Sequence, residues 1–150
     1  IEGRMKSEYY LATVVNAYRR ILDGGWTKAL AEELDCIDHR AYTTAYALGD
    51  NSDTVLPSGS QEVGTCAFIA VVVSQKDGYV CAEMRNRFHE GDILEVLSPG
   101  SSFGKSFSVI GMRDASGERC EDAKHVQEHY TFECPFPLER GDILRRRTRS

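Results

Sequence analysis

The chain is expected to be mainly β, with an N-terminal helical arm and a small antiparallel barrel starting near Cys66. Two observations predict this. Apolar residues recur every three to four positions up to about Leu34, and every second position after Cys66. The later part also divides into five to seven short strands separated by turn signals, as in an antiparallel sandwich or barrel.

The first helix spans Ser7 to Asp23, where Tyr10, Leu11, Val14, Val15, Tyr18, Ile21 and Leu22 form one stripe. Gly24-Gly25 ends it. Thr27 caps a second, shorter helix through Leu34, with Glu32 and Glu33 on its solvent side. A long polar loop follows at 49–64. Cys66 to Val73 is a continuous apolar run, as in a strand covered on both faces, and Lys76-Asp77-Gly78 is a hairpin turn. Tyr79–Met84, Ile93–Leu97 and Phe107–Met112 read as further strands, and Tyr130, Phe132 and Cys134 share a face of another. Ile143-Leu144 begins a short last one.

A faint repeat runs through this half. Glu90-Gly91-Asp92-Ile93-Leu94 recurs as Arg140-Gly141-Asp142-Ile143-Leu144. Gly91, Asp92, Gly141 and Asp142 are read as strand-entry turns: glycine accepts positive φ, and aspartate bonds nearby backbone amides. The Arg-Gly-Asp tripeptide at 140–142 is read as part of such a turn.

The 150 residues suffice for one domain, and 41% hydrophobic with 27% charged is ordinary globular composition. The longest apolar run, Ala67–Val73, is too short to span a bilayer, so no membrane partner is expected. Net charge is −5, and the last six residues, Arg-Arg-Arg-Thr-Arg-Ser, hold four of the 18 basic side chains. The body is therefore acidic, which disfavours nonspecific nucleic-acid binding over the whole surface. The basic tail is read as a solvated terminus. Five cysteines at 36, 66, 81, 120 and 134 match no disulfide framework, so a reducing, cytoplasmic setting is expected.

No catalytic or metal residue emerges. Cys36 and His39 have ligand-like spacing without a second pair, and His125 with His129 could share a helix face but lack the H-E-x-x-H glutamate. No nucleophile elbow or phosphate loop is present. Arg85-Asn86-Arg87-Phe88 is the most pointed constellation. It could grip phosphate and stack on a base, or pin a loop through backbone carbonyls, and the structural role is favoured.

Three segments have a familiar order. Ile1-Glu2-Gly3-Arg4-Met5-Lys6-Ser7 opens a Tyr-rich helix. His39-Arg40-Ala41-Tyr42-Thr43-Thr44-Ala45-Tyr46 follows, then Arg85-Asn86-Arg87-Phe88-His89-Glu90-Gly91-Asp92. Together they resemble the U-thirty-two, or collagenase-like, peptidase family, with Ala45 where glycine is usual. The resemblance implies a TIM-like barrel followed by a small β-barrel similar to the second domain of elongation factor Tu-like proteins. Residues 1–38 would be the closing strand and helix of the first barrel plus a linking helix. Residues 39–150 would be the C-terminal barrel.

The family's signature motif and cysteines would lie upstream, so no cofactor is expected in this piece, and its partner would be the catalytic barrel of the same protein. Members are described as peptidases acting on collagen, and some are implicated in hydroxylating RNA bases or quinones. The first expectation is thus a non-catalytic accessory domain that holds a protein substrate or braces a peptidase. The alternative is an RNA-binding module of a base-hydroxylating enzyme. Arg85, Asn86, Arg87 and Phe88, with Arg40 and Tyr42, are the candidate binding residues. The RNA reading expects Arg85, Arg87 and the tail arginines to form one positive surface. The helix stripe Tyr10, Val14, Tyr18 and Leu22 is expected to face the upstream barrel and, in this piece by itself, to be hidden against the β-barrel or a second copy.

Overall fold

A computed structural model describes residues 1–40, 42, 47, 49 and 63–148. Most of the loop expected at 49–64, and most of the element at 39–46, lie outside the described residues.

The arm is built as its caps dictate. Helix α1, Glu8–Gly24, starts at Ser7, whose Oγ accepts a hydrogen bond from the Tyr10 amide at 3.2 Å. It ends at Gly25, at φ +87°, whose amide donates to the Ile21 carbonyl. Thr27 caps α2, Lys28–Glu32, which tightens at once into a 3-10 turn over Glu33–Cys36. The expected second helix is therefore shorter. Glu33 is also not on a solvent side: it is buried, for a reason given below.

The strands are β1 (Cys66–Lys76), β2 (Tyr79–Met84), β3 (Phe88–His89), β4 (Ile93–Leu97), β5 (Ser106–Ser108), β6 (Asp122–Ala123), β7 (His129–Glu133) and β8 (Ile143–Arg147). Six form one antiparallel sheet in the order β5-β4-β8-β1-β2-β7, while β3 and β6 pair separately. Laid flat, the edge strands β5 and β7 would be about 24 Å apart, at about 4.8 Å per strand. Yet Phe107 of β5 and Phe132 of β7 stack at 6.1 Å. The sheet is curled until its edges meet around a common core. Backbone bonds help to close it: Arg113, just beyond β5, exchanges bonds of 2.8 and 2.9 Å with Thr131 of β7. The β5 strand is shorter than the expected Phe107–Met112 because the chain turns at Gly111 (φ +68°) to reach β7.

Strand β1 is covered on both faces, with a register shift between Phe68 and Ala70. Ile69, Ala70 and Val72 join Val80, Phe88, Leu94, Phe132 and Leu144 inside the barrel. Cys66, Phe68 and Val71 pack outside it, against Tyr9 and Val14 of α1 and Ile37. Tyr9 and Phe68 stack at 5.4 Å. Arg20 fastens the helix further: its guanidinium covers Phe103 at 4.0 Å and donates to the Ser98 and Gly100 carbonyls at 3.0 Å.

Two further expectations are corrected. Arg145–Arg147 are not part of a frayed tail but the second half of β8, hydrogen-bonded between β4 and β1. His125 and His129 share no helix, since they flank the turn from β6 to β7.

Candidate functional site

The two Gly-Asp turns have the same geometry. Gly91 has φ +92° and Gly141 φ +93°. The His89 amide donates to Asp92 Oδ2, and the Glu139 amide to Asp142 Oδ2, both at 2.9 Å. Gly91 donates to Val109 O at 2.8 Å, and Gly141 to Val72 O at 2.9 Å. Each turn thus launches a strand whose second residue, Leu94 or Leu144, is fully buried.

The candidate binding residues are held by the fold. The Arg85 and Asn86 amides both donate to Ile69 O, and Asn86 Nδ2 donates to Phe68 O at 2.6 Å, which pins this turn onto β1. Arg85 pairs with Glu8 of α1 at 2.9 Å and with Glu83 of β2 at 2.8 Å. Arg87 forms a two-pronged ion pair with Asp122 of β6, Nε to Oδ1 at 2.9 Å. The Arg87 hydrogen bond outweighs desolvation and draws the Asp122 carboxyl down to about 2. Phe88 is corrected as a stacking residue. It is wholly buried, edge-on to Tyr130 and Phe132, with no ring face open to a base. Elsewhere, beside the 3-10 turn, Arg40 is exposed, and Tyr42 stacks on His39 at 4.3 Å and donates to Leu34 O at 3.0 Å.

Sequence reasoning missed the most concentrated chemistry, at the seam between arm and barrel. Arg145 is fully buried and pairs with Glu33 of the 3-10 turn at 2.8 Å, and with Glu95 of β4, Nε to Oε1 at 2.9 Å. Arg147 also reaches Glu95, Nε to Oε2 at 2.9 Å. Arg146 turns to Asp92. Burial would raise the Glu95 carboxyl, but hydrogen bonds and charge from Arg147 and Arg145 hold it below the ordinary range. These pairs make charged residues acceptable inside a packed seam. They explain why Glu33 is buried, and they leave Arg85, Arg87 and Arg145–Arg147 each facing a carboxylate rather than forming one open positive surface.

Beside them, Cys36 Sγ and Cys66 Sγ lie 3.0 Å apart. Arg147 Nη1 is 3.7 Å from Cys36 Sγ. The hydrogen bond shared with Cys36, and the charges of Arg145 and Arg147, overcome burial and bring the Cys66 thiol down to about 7. The same bond, with burial, pushes Cys36 up. Both cysteines line a cavity of about 420 Å³ with Lys6, Tyr9, Tyr10 and Asn86. On the other side of α1, Val15, Arg20, Leu30, Pro99 and Phe103 line an open groove of about 710 Å³.

The chain belongs to peptidase family U32. The model of that family's C-terminal domain matches residues 64–145, and the family model itself matches residues 1–56. Among similar proteins, tRNA hydroxylation protein P of Escherichia coli (strain K12) is 28% identical over 147 residues, covering 93% of this chain and 32% of that protein. The tRNA hydroxylation protein P1 of Bacillus subtilis (strain 168) is 28% identical over 158 residues, covering 97% and 37%. The chain therefore spans about a third of the length of the curated relatives it matches. The crystal structure of the C-terminal domain of a Geobacillus thermoleovorans protein, described as a U32 peptidase, aligns with TM-score 0.50 at 21% identity, covering 53% of this chain and 99% of that one. Among the described residues no helix is long and apolar enough to cross a membrane.

Proposed function

We propose that this chain is the non-catalytic C-terminal accessory part of a tRNA-hydroxylating protein, and that it serves by docking onto the rest of that protein. The likeness to two tRNA hydroxylation proteins over more than nine-tenths of the chain supports the reaction. It favours tRNA hydroxylation over the proteolysis in the family's name.

One observation carries the docking role. Helix α1 has two apolar faces: Tyr9, Val14 and Ala17 are buried against the barrel, while Val15, Tyr18 and Leu22 stand half or more exposed. The spacing of 15, 18 and 22 makes these three a single stripe. The expected orphan stripe of Tyr10, Val14, Tyr18 and Leu22 is thus divided, with Val14 spent on the barrel. An uncovered apolar stripe suits a partner surface, and the part of the protein corresponding to the two-thirds of the relatives' length that this chain does not cover is the partner proposed here. The internal pairing of Arg85, Arg87 and Arg145–Arg147 supports docking over RNA gripping.

The test deletes the gene for the whole protein and quantifies hydroxylated nucleosides in total tRNA by mass spectrometry. Loss of a hydroxylated nucleoside, restored by the intact gene, is expected. An unchanged nucleoside profile, with loss of a peptide-cleaving activity instead, would overturn the reading.

A further inference from the structure

We propose that Cys36 and Cys66 form a redox-active dithiol that undergoes exchange with low-molecular-weight disulfides. The two cysteines come from separate elements, the end of the 3-10 turn and the first residue of β1. The backbone brings them together. Thr65 donates to the Asp35 carbonyl through its amide at 2.9 Å and its hydroxyl at 3.1 Å, and the Gly64 amide donates to Asp38 Oδ1 at 2.7 Å. The two segments touch so closely that a Cβ on Gly64 would lie 2.7 Å from the Cys36 carbonyl oxygen. Two sulfurs 3.0 Å apart need little movement to bond.

The site differs from those of the other three cysteines. Burial alone raises the thiol of Cys134, and chiefly burial that of Cys120, while Cys81 has no neighbouring thiol among its strand contacts. Only at Cys36 and Cys66 do a second thiol, a guanidinium and a cavity coincide among the described residues. Both cysteines line the cavity of about 420 Å³, and Lys6 in the same lining suits one arm of an anionic small disulfide such as glutathione disulfide.

The step balances as follows. The Cys66 thiolate attacks one sulfur of the disulfide, forming a mixed disulfide and expelling one small thiolate, which takes up the proton that Cys66 has released. Cys36 then gives up its proton, and its sulfur attacks Cys66 Sγ. The second small thiolate leaves and accepts that proton. Two electrons pass from the protein dithiol to the small disulfide, which becomes two thiols.

The test equilibrates the full chain with glutathione disulfide, quenches with acid, alkylates the remaining thiols with maleimide, and maps the adducts. Loss of both maleimide adducts from the Cys36 and Cys66 peptides is expected, with a cross-link between them and with Cys81, Cys120 and Cys134 still labelled. The variant Cys36→Ser should trap glutathione on Cys66, since the resolving thiol is gone. Retained labelling of Cys36 and Cys66 in chain shown to be folded by circular dichroism would overturn the proposal. So would trapping on Cys81, Cys120 or Cys134 in place of Cys66.

Discussion

Glu95 stands directly opposite Arg145 across the antiparallel β4–β8 pair, and the 50 positions between them are the offset of the Gly-Asp repeat. The two turns therefore lie at opposite ends of a local pseudo-twofold whose axis passes through this ion pair. Gly91 faces Val109 as Gly141 faces Val72. The Glu95–Arg145 ion pair, midway between the two related turns, is also the point where the arm, through Glu33, is fastened to the barrel.

Removing Arg145 leaves the buried Glu33 and largely buried Glu95 carboxylates with only the half-exposed Arg147 as counter-charge. Arg145→Ala should cost about 3–5 kcal/mol of stability. Replacing Arg145, Glu33 and Glu95 together by Met and Leu should recover most of the loss. Urea unfolding monitored by circular dichroism measures both.

Acid should weaken the seam in a defined direction. Glu95 has a folded pKa below its unfolded value of about 4.3, so its contribution is full above that value and lost as pH falls through the folded one. Urea midpoints between about pH 3 and pH 6 should fall more steeply for the native chain than for Glu95→Gln.

The candidate loop should separate into core and surface. Phe88→Ala should cost about 3–5 kcal/mol, because a fully buried ring leaves a cavity. Arg87→Ala should cost much less than Phe88→Ala, its guanidinium being mostly exposed. Thermal unfolding of the two variants checks this order.

Gly64 and Gly141 should fail for different reasons. An alanine at 64 meets backbone atoms of Cys36 and Ile37 within 3 Å, so the two chain segments must separate. An alanine at 141 meets open space but must adopt φ +93°, at a cost of about 1–2 kcal/mol. Gly64→Ala should therefore slow Cys36–Cys66 cross-linking, while Gly141→Ala lowers stability and leaves that reaction unchanged.

The strands of the barrel were legible because each is half or fully buried and ends in strong turn chemistry. Asp77-Gly78 and the two Gly-Asp turns are examples, all with positive φ where required. The family was legible from the order of three separated segments. The last strand was legible only at its start, Ile143-Leu144, because the three consecutive arginines that follow carry no apolar alternation. Arg145 is buried by virtue of two carboxylates 50 and 112 positions away. The stacking role open to Phe88, an aromatic beside two arginines, gives way to the favoured structural one because its place in a two-residue strand sends it inward. The Cys36–Cys66 pair left no local signal, since its members meet through tertiary contacts: the packing of Gly64 on Cys36 and Ile37 and the hydrogen bonds of Thr65 and Gly64 to Asp35 and Asp38.

The most direct measurement places variants of this chain in the whole protein and quantifies hydroxylated nucleosides in tRNA from cells that lack their own copy. One variant carries Val15→Glu and Leu22→Glu on the exposed stripe of α1. The other carries Arg85→Ala and Arg87→Ala. With folding verified for both, the docking account predicts that the stripe variant loses most of the hydroxylated nucleoside and the arginine variant retains it. Full hydroxylation with the stripe variant, and loss with the arginine variant, would contradict it.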